Sequence, residues 1–284
     1  MSIDLHIHTT FSDGTKTPQE IVQLAIQKGL TAIAITDHDT LDGCSEAVEA
    51  GERSGLEIVP GVEISVRFQE KSLHLLGYFL DIENSRLISG LHTIQAGRKI
   101  RNEQILQKLQ SRGIDISFEE LARISETGEI GRPHIAVLLQ QKGFVRSLDE
   151  AFQKYIGNGA CCYAARPEFS AQKAIDLIHC AGGLAFWAHP FSSLGDEASV
   201  SQFLKDLACI GIDGVEVYYP TQGEKIRTLL LQLAAELGLL VSGGSDYHGS
   251  IRKGSSLAGG KELMIPYSLL EQMQAVSQKR ALTL

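Results

Sequence analysis

The sequence predicts an α/β chain of seven strands alternating with helices, closer to a barrel than to a small open sheet. Three observations predict it. Short apolar runs rich in β-branched residues alternate with amphipathic stretches of about 10–15 residues, the pattern of parallel βα units. Seven such runs occur, more than a small sheet needs. From about Asp81 to Tyr163 only helical patterns appear, as expected of an insertion into the strand–helix series. An open doubly wound sheet is the alternative on these grounds.

The first strand is "DLHIH". Ile3, Leu5 and Ile7 alternate with Asp4, His6 and His8, so two imidazoles share one strand face. The helix "TPQEIVQLAIQKG" follows, with Thr17 placed to cap it, Pro18 in its first turn and Gly29 at its end. "LTAIAIT" reads as a buried strand and "TLDGCSEAVEAGERSG" as the next helix. "LEIVPGVEIS" and "SLHLLGYFL" are strands three and four. "LISGLHTIQAGRKIRNEQILQKLQSRG" then opens the insertion as a long amphipathic helix, with Leu91, Ile94, Ile105 and Leu109 near one stripe. "SFEELARISETG", "RPHIAVLLQQKG" and "SLDEAFQKYIGNG" read as three shorter helices separated by glycines. The strand–helix series resumes with "SAQKAIDLIHCAGG" feeding "LAFWAH", "ASVSQFLKDLACIG" feeding "IDGVEVYY", and "GEKIRTLLLQLAAELG" feeding "LLVSGGSD". The expected organisation is a barrel from 1–80 and 164–284, with 81–163 as the helical insertion.

Composition narrows the function. The chain has 284 residues, 43% hydrophobic, enough for a sizeable core. No apolar run approaches the roughly 20 residues that span a bilayer. The start carries no basic-then-apolar leader, so a cytoplasmic protein without membrane attachment is expected. Five cysteines, an odd number with no C-x-x-C pair, argue against a disulfide scaffold or thiolate zinc site and fit a reducing compartment. A net charge of −8 disfavours long duplex nucleic acid as a partner. Neither G-x-G-x-x-G nor a Walker motif is present, so no nucleotide cofactor is expected, and no protein partner is implied.

The metal-ligand residue types fall at strand ends. His6 and His8 lie on the first strand and Asp13 in the loop after it. His38 follows the second strand in "TDHD", and Glu63 closes the third in "PGVEIS". His74 lies on the fourth, His189 ends "LAFWAH", and Asp246 and His248 follow the last strand in "SGGSDYHG". Six of nine histidines are in this set; only His92, His134 and His179 lie elsewhere. The C-terminal strand ends of a βα barrel converge on one mouth, where active sites are built. Six imidazoles and three carboxylates without a thiolate suit Zn²⁺, Mn²⁺ or Fe²⁺ better than Mg²⁺ or Ca²⁺ alone. Nine ligands exceed one ion's needs. Two or three divalent ions sharing carboxylates, roughly 3.5–4 Å apart, would generate a hydroxide and clamp phosphoryl oxygens.

These residues, in this order, resemble the PHP (polymerase and histidinol phosphatase) family. "GVEIS", "GRPHIAVLLQQKG" and "SGGSDYHG" are similar to its stand-alone nucleotide phosphoesterases, which remove the 3′-phosphate of nucleoside 3′,5′-bisphosphates or degrade short RNA from the 5′ end. The resemblance implies a distorted (β/α)7 barrel with a trinuclear centre. It also implies hydrolysis of nucleotide phosphate esters by a metal-bridging hydroxide, on a small nucleotide or short oligonucleotide. By the family pattern His6, His8, Glu63 and Asp246 hold one metal, Asp13, His38 and His248 a second, and Glu63, His74 and His189 a third. His189, His248 and Asp246 are the catalytic candidates, with either histidine able to protonate the leaving oxygen. The Arg and His matching Arg132 and His134 contact substrate phosphate in the nucleotide-directed relatives, which implies that the insertion contributes to recognition; the alternative is that Gly-x-Pro only opens a helix.

Other residues carry blander expectations. Arg98, Arg101 and Asn102 read as a solvated helix face, though they could line the cleft. Asp37 and Asp39 are orienting partners or helix caps, Glu216, Tyr218 and Tyr219 pocket wall, Phe186 and Trp187 barrel core, Cys161 and Cys162 packing. The rivals are a histidinol-phosphate-type phosphatase, a non-catalytic metal- or phosphate-binding module, and an amidohydrolase. The last would want a strand-borne lysine bridging its metals, which the strand cores lack.

Overall fold

The computed structural model describes residues 2–125, 130–165, 167, 169–251, 255–259 and 263–282. Strand β1 (Ser2–Asp4) leads to helix α1 (Pro18–Gln27), β2 (Leu30–Ile35), α2 (Asp42–Ser54) and β3 (Glu57–Phe68). Thr17 caps α1 through a reciprocal box with Glu20. The strands β1, β2 and β3 pair in parallel.

Strand β4 (Lys71–Tyr78) breaks the parallel series. Only Gln69 and Glu70 separate it from β3, too few for a crossover, so the two strands form an antiparallel hairpin. Gln69 takes the left-handed conformation at the tip, with φ of 50°. This distortion has a functional result. His74 sits in the first half of β4, yet its register opposite Ser65 lifts it to the level at which β3 approaches the mouth.

After the insertion come α7 (Ala171–Cys180), β5 (Leu184–Trp187), α8 (Pro190–Leu194), α9 (Glu197–Cys209), β6 (Gly214–Tyr218), α10 (Glu224–Leu237) and β7 (Leu240–Gly243), and the chain ends in α11 (Tyr267–Ala281). β5 pairs antiparallel with β4; β5, β6 and β7 are mutually parallel. The seven strands are ordered β1 to β7. The segment following β1 then joins the far edge: Leu5 N–H donates to Gly243 O at 3.1 Å, and His8 N–H to Tyr247 O at 3.0 Å. These bonds draw the two edges together into a distorted seven-stranded barrel.

Both faces of the sheet are buried. Ile33 and Ile35 pack outward with α1, α2, α7, α9 and α10, whereas Ala32 and Ala34 join Leu76, Tyr78 and Phe186 in a second cluster that Leu270 and Met273 of α11 cover. Trp187 packs in the first cluster, and both it and Phe186 are fully buried, as expected of core.

The intervening helices are α3 (Ser85–Gln110), α4 (Phe118–Ser125), α5 (Arg132–Gln141) and α6 (Leu148–Ala151), followed by a π-helical turn (Phe152–Ile156). The tail of the expected "SFEELARISETG" helix lies outside the described residues. α3 spans two cores. Leu87, Leu91 and Ile94 pack with the barrel, while Ile105 and Leu109 pack with Leu121, Ile135 and Ile156. Arg98, Arg101 and Asn102 fall between these ends and are buried, contrary to the expected solvated face. Among the described residues no helix is long and apolar enough to cross a membrane.

Candidate metal centre

All nine predicted ligands meet at the barrel mouth. The loop after β1 folds back because Asp37, at the end of β2, accepts from Thr9 N–H at 2.7 Å, Thr9 Oγ1 at 2.6 Å and Ser12 Oγ at 2.5 Å. Asp37 thereby sets the loop that carries Asp13, and caps no helix. On the far side, buried Asp4 accepts from Ser245 N–H at 2.8 Å and Ser245 Oγ at 2.5 Å, fixing the turn that presents Asp246. Gly244 lets this turn lie against the first strand, since a Cβ there would come within 2.2 Å of His6 Cβ.

Three mouth residues adopt left-handed backbone: Asp39 (φ 57°), His189 (φ 30°) and Asp246 (φ 51°). Such conformations cost about 1–3 kcal/mol each and persist where the surroundings impose them. Here Ser65 N–H donates to Asp39 Oδ1 at 2.8 Å, and Glu216 accepts the His189 N–H at 2.7 Å.

Glu63 is the hub. Its Oε2 lies 3.4 Å from His6 Nε2, 3.2 Å from His8 Nε2 and 2.9 Å from His38 Nδ1. Its Oε1 lies 2.8 Å from His74 Nδ1 and 2.9 Å from His189 Nε2. Asp246 Oδ1 completes the first set at 3.5 Å from His6 Nε2 and 3.3 Å from His8 Nε2. An ion about 2.0–2.2 Å from four tetrahedral donors separates them by roughly 3.3–3.6 Å, close to these spacings. His6 Nε2, His8 Nε2 and Glu63 Oε2 are buried and without a hydrogen-bond partner, which is the state a shared cation would relieve.

The donor atoms fall into three sets that each meet within 4.8 Å: His6, His8, Glu63 and Asp246; His8, Asp13, His38 and His248; and His38, Glu63 and His74. The first is the expected first set. In the second, His248 Nε2 is 3.2 Å from Asp13 Oδ1, and His8 joins it with its ring 4.0 Å from that of His248. In the third, His38 stands where the family pattern puts His189, although His189 touches the same Glu63 oxygen as His74. The residues therefore fit divalent ions.

Charge points the same way. Burial alone would raise the Asp13 and Glu63 pKa values, but the surrounding imidazoles hold both well below the carboxylate range. Burial also opposes protonation of His8, yet Asp246, Glu63 and Asp13 push it up to about 9. His38 goes the other way, down to about 4, chiefly through burial. The ionised carboxylates demand positive charge, and protons or metal ions can supply it.

The sequence reading missed most of the residues that orient this centre. Glu216, expected as pocket wall, accepts from His6 Nδ1–H at 2.9 Å, leaving Nε2 to face the first donor set. Tyr219 OH donates to Asp246 Oδ2 at 2.8 Å. Asp39 pairs with Arg98 of α3. The only cue in the sequence was position: Asp4 precedes His6 by two, and Glu216 lies in β6.

Helix α5 starts beside the second set. A Cβ on Gly131 would lie 3.8 Å from Asp13 Oδ2 and 3.7 Å from Arg98 Nη1. Gly131 N–H donates to His134 Nδ1 at 3.0 Å, so the neutral ring carries its proton on Nε2; burial lowers its pKa. Arg132 turns into the insertion instead, donating to Ile156 O at 3.3 Å with its guanidinium 5.8 Å from the Phe152 ring centre.

The chain is similar to known proteins over most of its length. The family described as PHP domain matches residues 4–161. A "5'-3' exoribonuclease" of Haemophilus influenzae is 34% identical over 86% of this chain and 89% of its own length. A "3',5'-nucleoside bisphosphate phosphatase" of Chromobacterium violaceum is 32% identical, covering 87% of each. A crystal structure from Bifidobacterium adolescentis, provisionally titled a metal-dependent phosphoesterase, superposes with a TM-score of 0.86 at 32% identity over 96% of this chain and 95% of that one.

Proposed function

The chain belongs to the PHP domain family, a family of phosphoesterases, and from that premise we propose that it hydrolyses the phosphate ester at the 3′-oxygen of a nucleotide. The observation that carries this reading is the first donor set, in which two buried imidazoles each lie 3.2–3.5 Å from Glu63 Oε2 and Asp246 Oδ1, the spacing of donors around one ion. One chemical step unites the two kinds of relative. Removing the 3′-phosphate of a nucleoside 3′,5′-bisphosphate breaks the P–O3′ bond. Releasing a 5′-mononucleotide from the 5′ end of RNA breaks the same bond, with a chain on the far side of phosphorus.

We take the metal ligands to be His6, His8, Asp13, His38, Glu63, His74, His189, Asp246 and His248, holding two to three Mn²⁺, Fe²⁺ or Zn²⁺ ions. Such ions supply a nucleophilic hydroxide near neutral pH and offset charge on the phosphoryl oxygens. The protein's own groups do the rest. Asp246, held by Tyr219, and His6, held by Glu216, keep the first set rigid. Whichever of His189 and His248 is not engaged with an ion hands a proton to the leaving 3′-oxygen. His134, and Arg132 once turned toward substrate, bind the remote 5′-phosphate, so residues 81–163 act as the recognition insertion on a barrel formed by 1–80 and 164–284. None of the five cysteines is paired, which supports a cytoplasmic setting.

The test is reconstitution with each metal and assay on adenosine 3′,5′-bisphosphate, 5′-phosphorylated short RNA and histidinol phosphate. The expected product is 5′-AMP from the nucleotide substrates. Much faster turnover of histidinol phosphate would reject the assignment.

A further inference from the structure

A groove of about 300 Å³ runs along α3 beside the metal centre, between His92, Gln95, Lys99 and Asn102 on one side and Phe118 and Ile130 on the other. Its volume lies at the small end of the roughly 300–1,000 Å³ found for ligand pockets. Two hydrogen bonds tie it to the mouth. Gln95 Nε2 donates to Asp39 O at 3.1 Å, one residue from His38, and Asn102 Nδ2 donates to Ile130 O at 2.7 Å, one residue from Gly131. The groove therefore begins where the mouth ends.

Its chemistry is that of a nucleotide site. Phe118 is a half-buried aromatic residue lining the groove, and His92 is an exposed second ring; bases stack on rings of this kind. Lys99 is an exposed cation on an acidic chain, suited to a phosphodiester. Among the described residues, none that lines the groove is a carboxylate.

We propose that this groove binds the nucleotide on the 3′ side of the cleaved bond when the substrate is RNA, and so distinguishes an RNA chain from a bisphosphate. This rests on the phosphoesterase reading above. The two substrates differ only there. Water attacks phosphorus, the P–O3′ bond breaks, and the 3′-oxygen takes a proton, giving 5′-AMP in either case. The diadenylate pApA yields two 5′-AMP, and adenosine 3′,5′-bisphosphate yields 5′-AMP and phosphate. Only pApA carries a second base and ribose beyond the reacting phosphorus.

The experiment compares kcat/KM of the metal-loaded enzyme on those two compounds for the native chain, Phe118→Ala, Phe118→Trp and Lys99→Glu. Phe118→Ala should lower kcat/KM on pApA about 5- to 150-fold, the range for loss of a base-stacking ring, with less than a twofold change on the bisphosphate. Phe118→Trp should retain pApA hydrolysis, and Lys99→Glu should lower it selectively. The bisphosphate rate reports folding of each variant. Equal losses on both substrates, no loss on either, or a native enzyme that cleaves the bisphosphate but not pApA would overturn the proposal. A native enzyme that cleaves neither would overturn the phosphoesterase substrate assignment instead.

Discussion

Glu216 holds His6 from behind: its Oε1 is 2.9 Å from His6 Nδ1, while its Oε2 accepts the His189 N–H at 2.7 Å. One buried carboxylate thus fixes the ring of one candidate ligand and the strained backbone of another. Replacing Glu216 by Ala should weaken metal binding or activity about 10- to 100-fold, the usual effect of losing a ligand's hydrogen-bond partner. Metal titration followed by activity would measure it. Unchanged affinity would show that the ring is oriented by packing alone.

His8 contributes to two donor sets and Asp246 to one, so His8→Ala should deplete more metal than Asp246→Ala. Elemental analysis after gentle purification checks the order. Activity should fall with metal content in both variants. Far-ultraviolet circular dichroism should be unchanged, because apolar clusters on both faces of the sheet hold the barrel.

Arg132→Ala should lower kcat/KM for adenosine 3′,5′-bisphosphate about 10- to 150-fold if the guanidinium binds the 5′-phosphate, with p-nitrophenyl phosphate hydrolysis nearly unchanged. The contact with Ile156 O adds a second expectation: a loss of about 1 kcal/mol in stability, readable as a lower Tm. A lower Tm with parallel losses on both substrates would reduce Arg132 to a structural residue.

Asp213 links three elements. It accepts from His179 Nε2 of α7 at 2.7 Å and from Ala185 N–H of β5 at 2.8 Å, and it pairs with Arg280 of α11. Burial would raise its pKa, but the bonds from His179, Arg280 and Ala185 outweigh burial and lower it. A depressed folded pKa gives stability that is complete above the unfolded value of about 3.9 and lost as pH falls through the folded one. Asp213→Asn should therefore destabilise by about 1–3 kcal/mol near neutrality, and the difference from the native chain should close in acid below about pH 4. A difference independent of pH would point to lost packing instead of lost charge.

What the sequence disclosed follows from the physics of each residue. Ligand types repeated at strand ends are visible because their spacing needs no tertiary knowledge, and all nine reach the mouth. The antiparallel course of β4 was implicit in the two residues after Phe68, yet the general alternation of strands and helices hid it. Arg98, Arg101 and Asn102 look solvated in a helical projection; their burial depends on α3 bridging two cores. Helix α11 drew no assignment, since its buried face amounts to little more than Leu270 and Met273. Asp4 and Glu216 are ordinary acids until their partners are known.

The ring bonds of Leu5 and His8 to Gly243 and Tyr247 set a timetable for the enzyme's birth. Asp4 meets Ser245 across 241 positions, so both stretches must be outside the ribosome before this contact forms. A nascent chain halted within α10 has made His6, His8 and Glu63 but lacks Asp246 and His248. It carries an incomplete set of the candidate ligands. Catalytic competence arrives only with the closing strand.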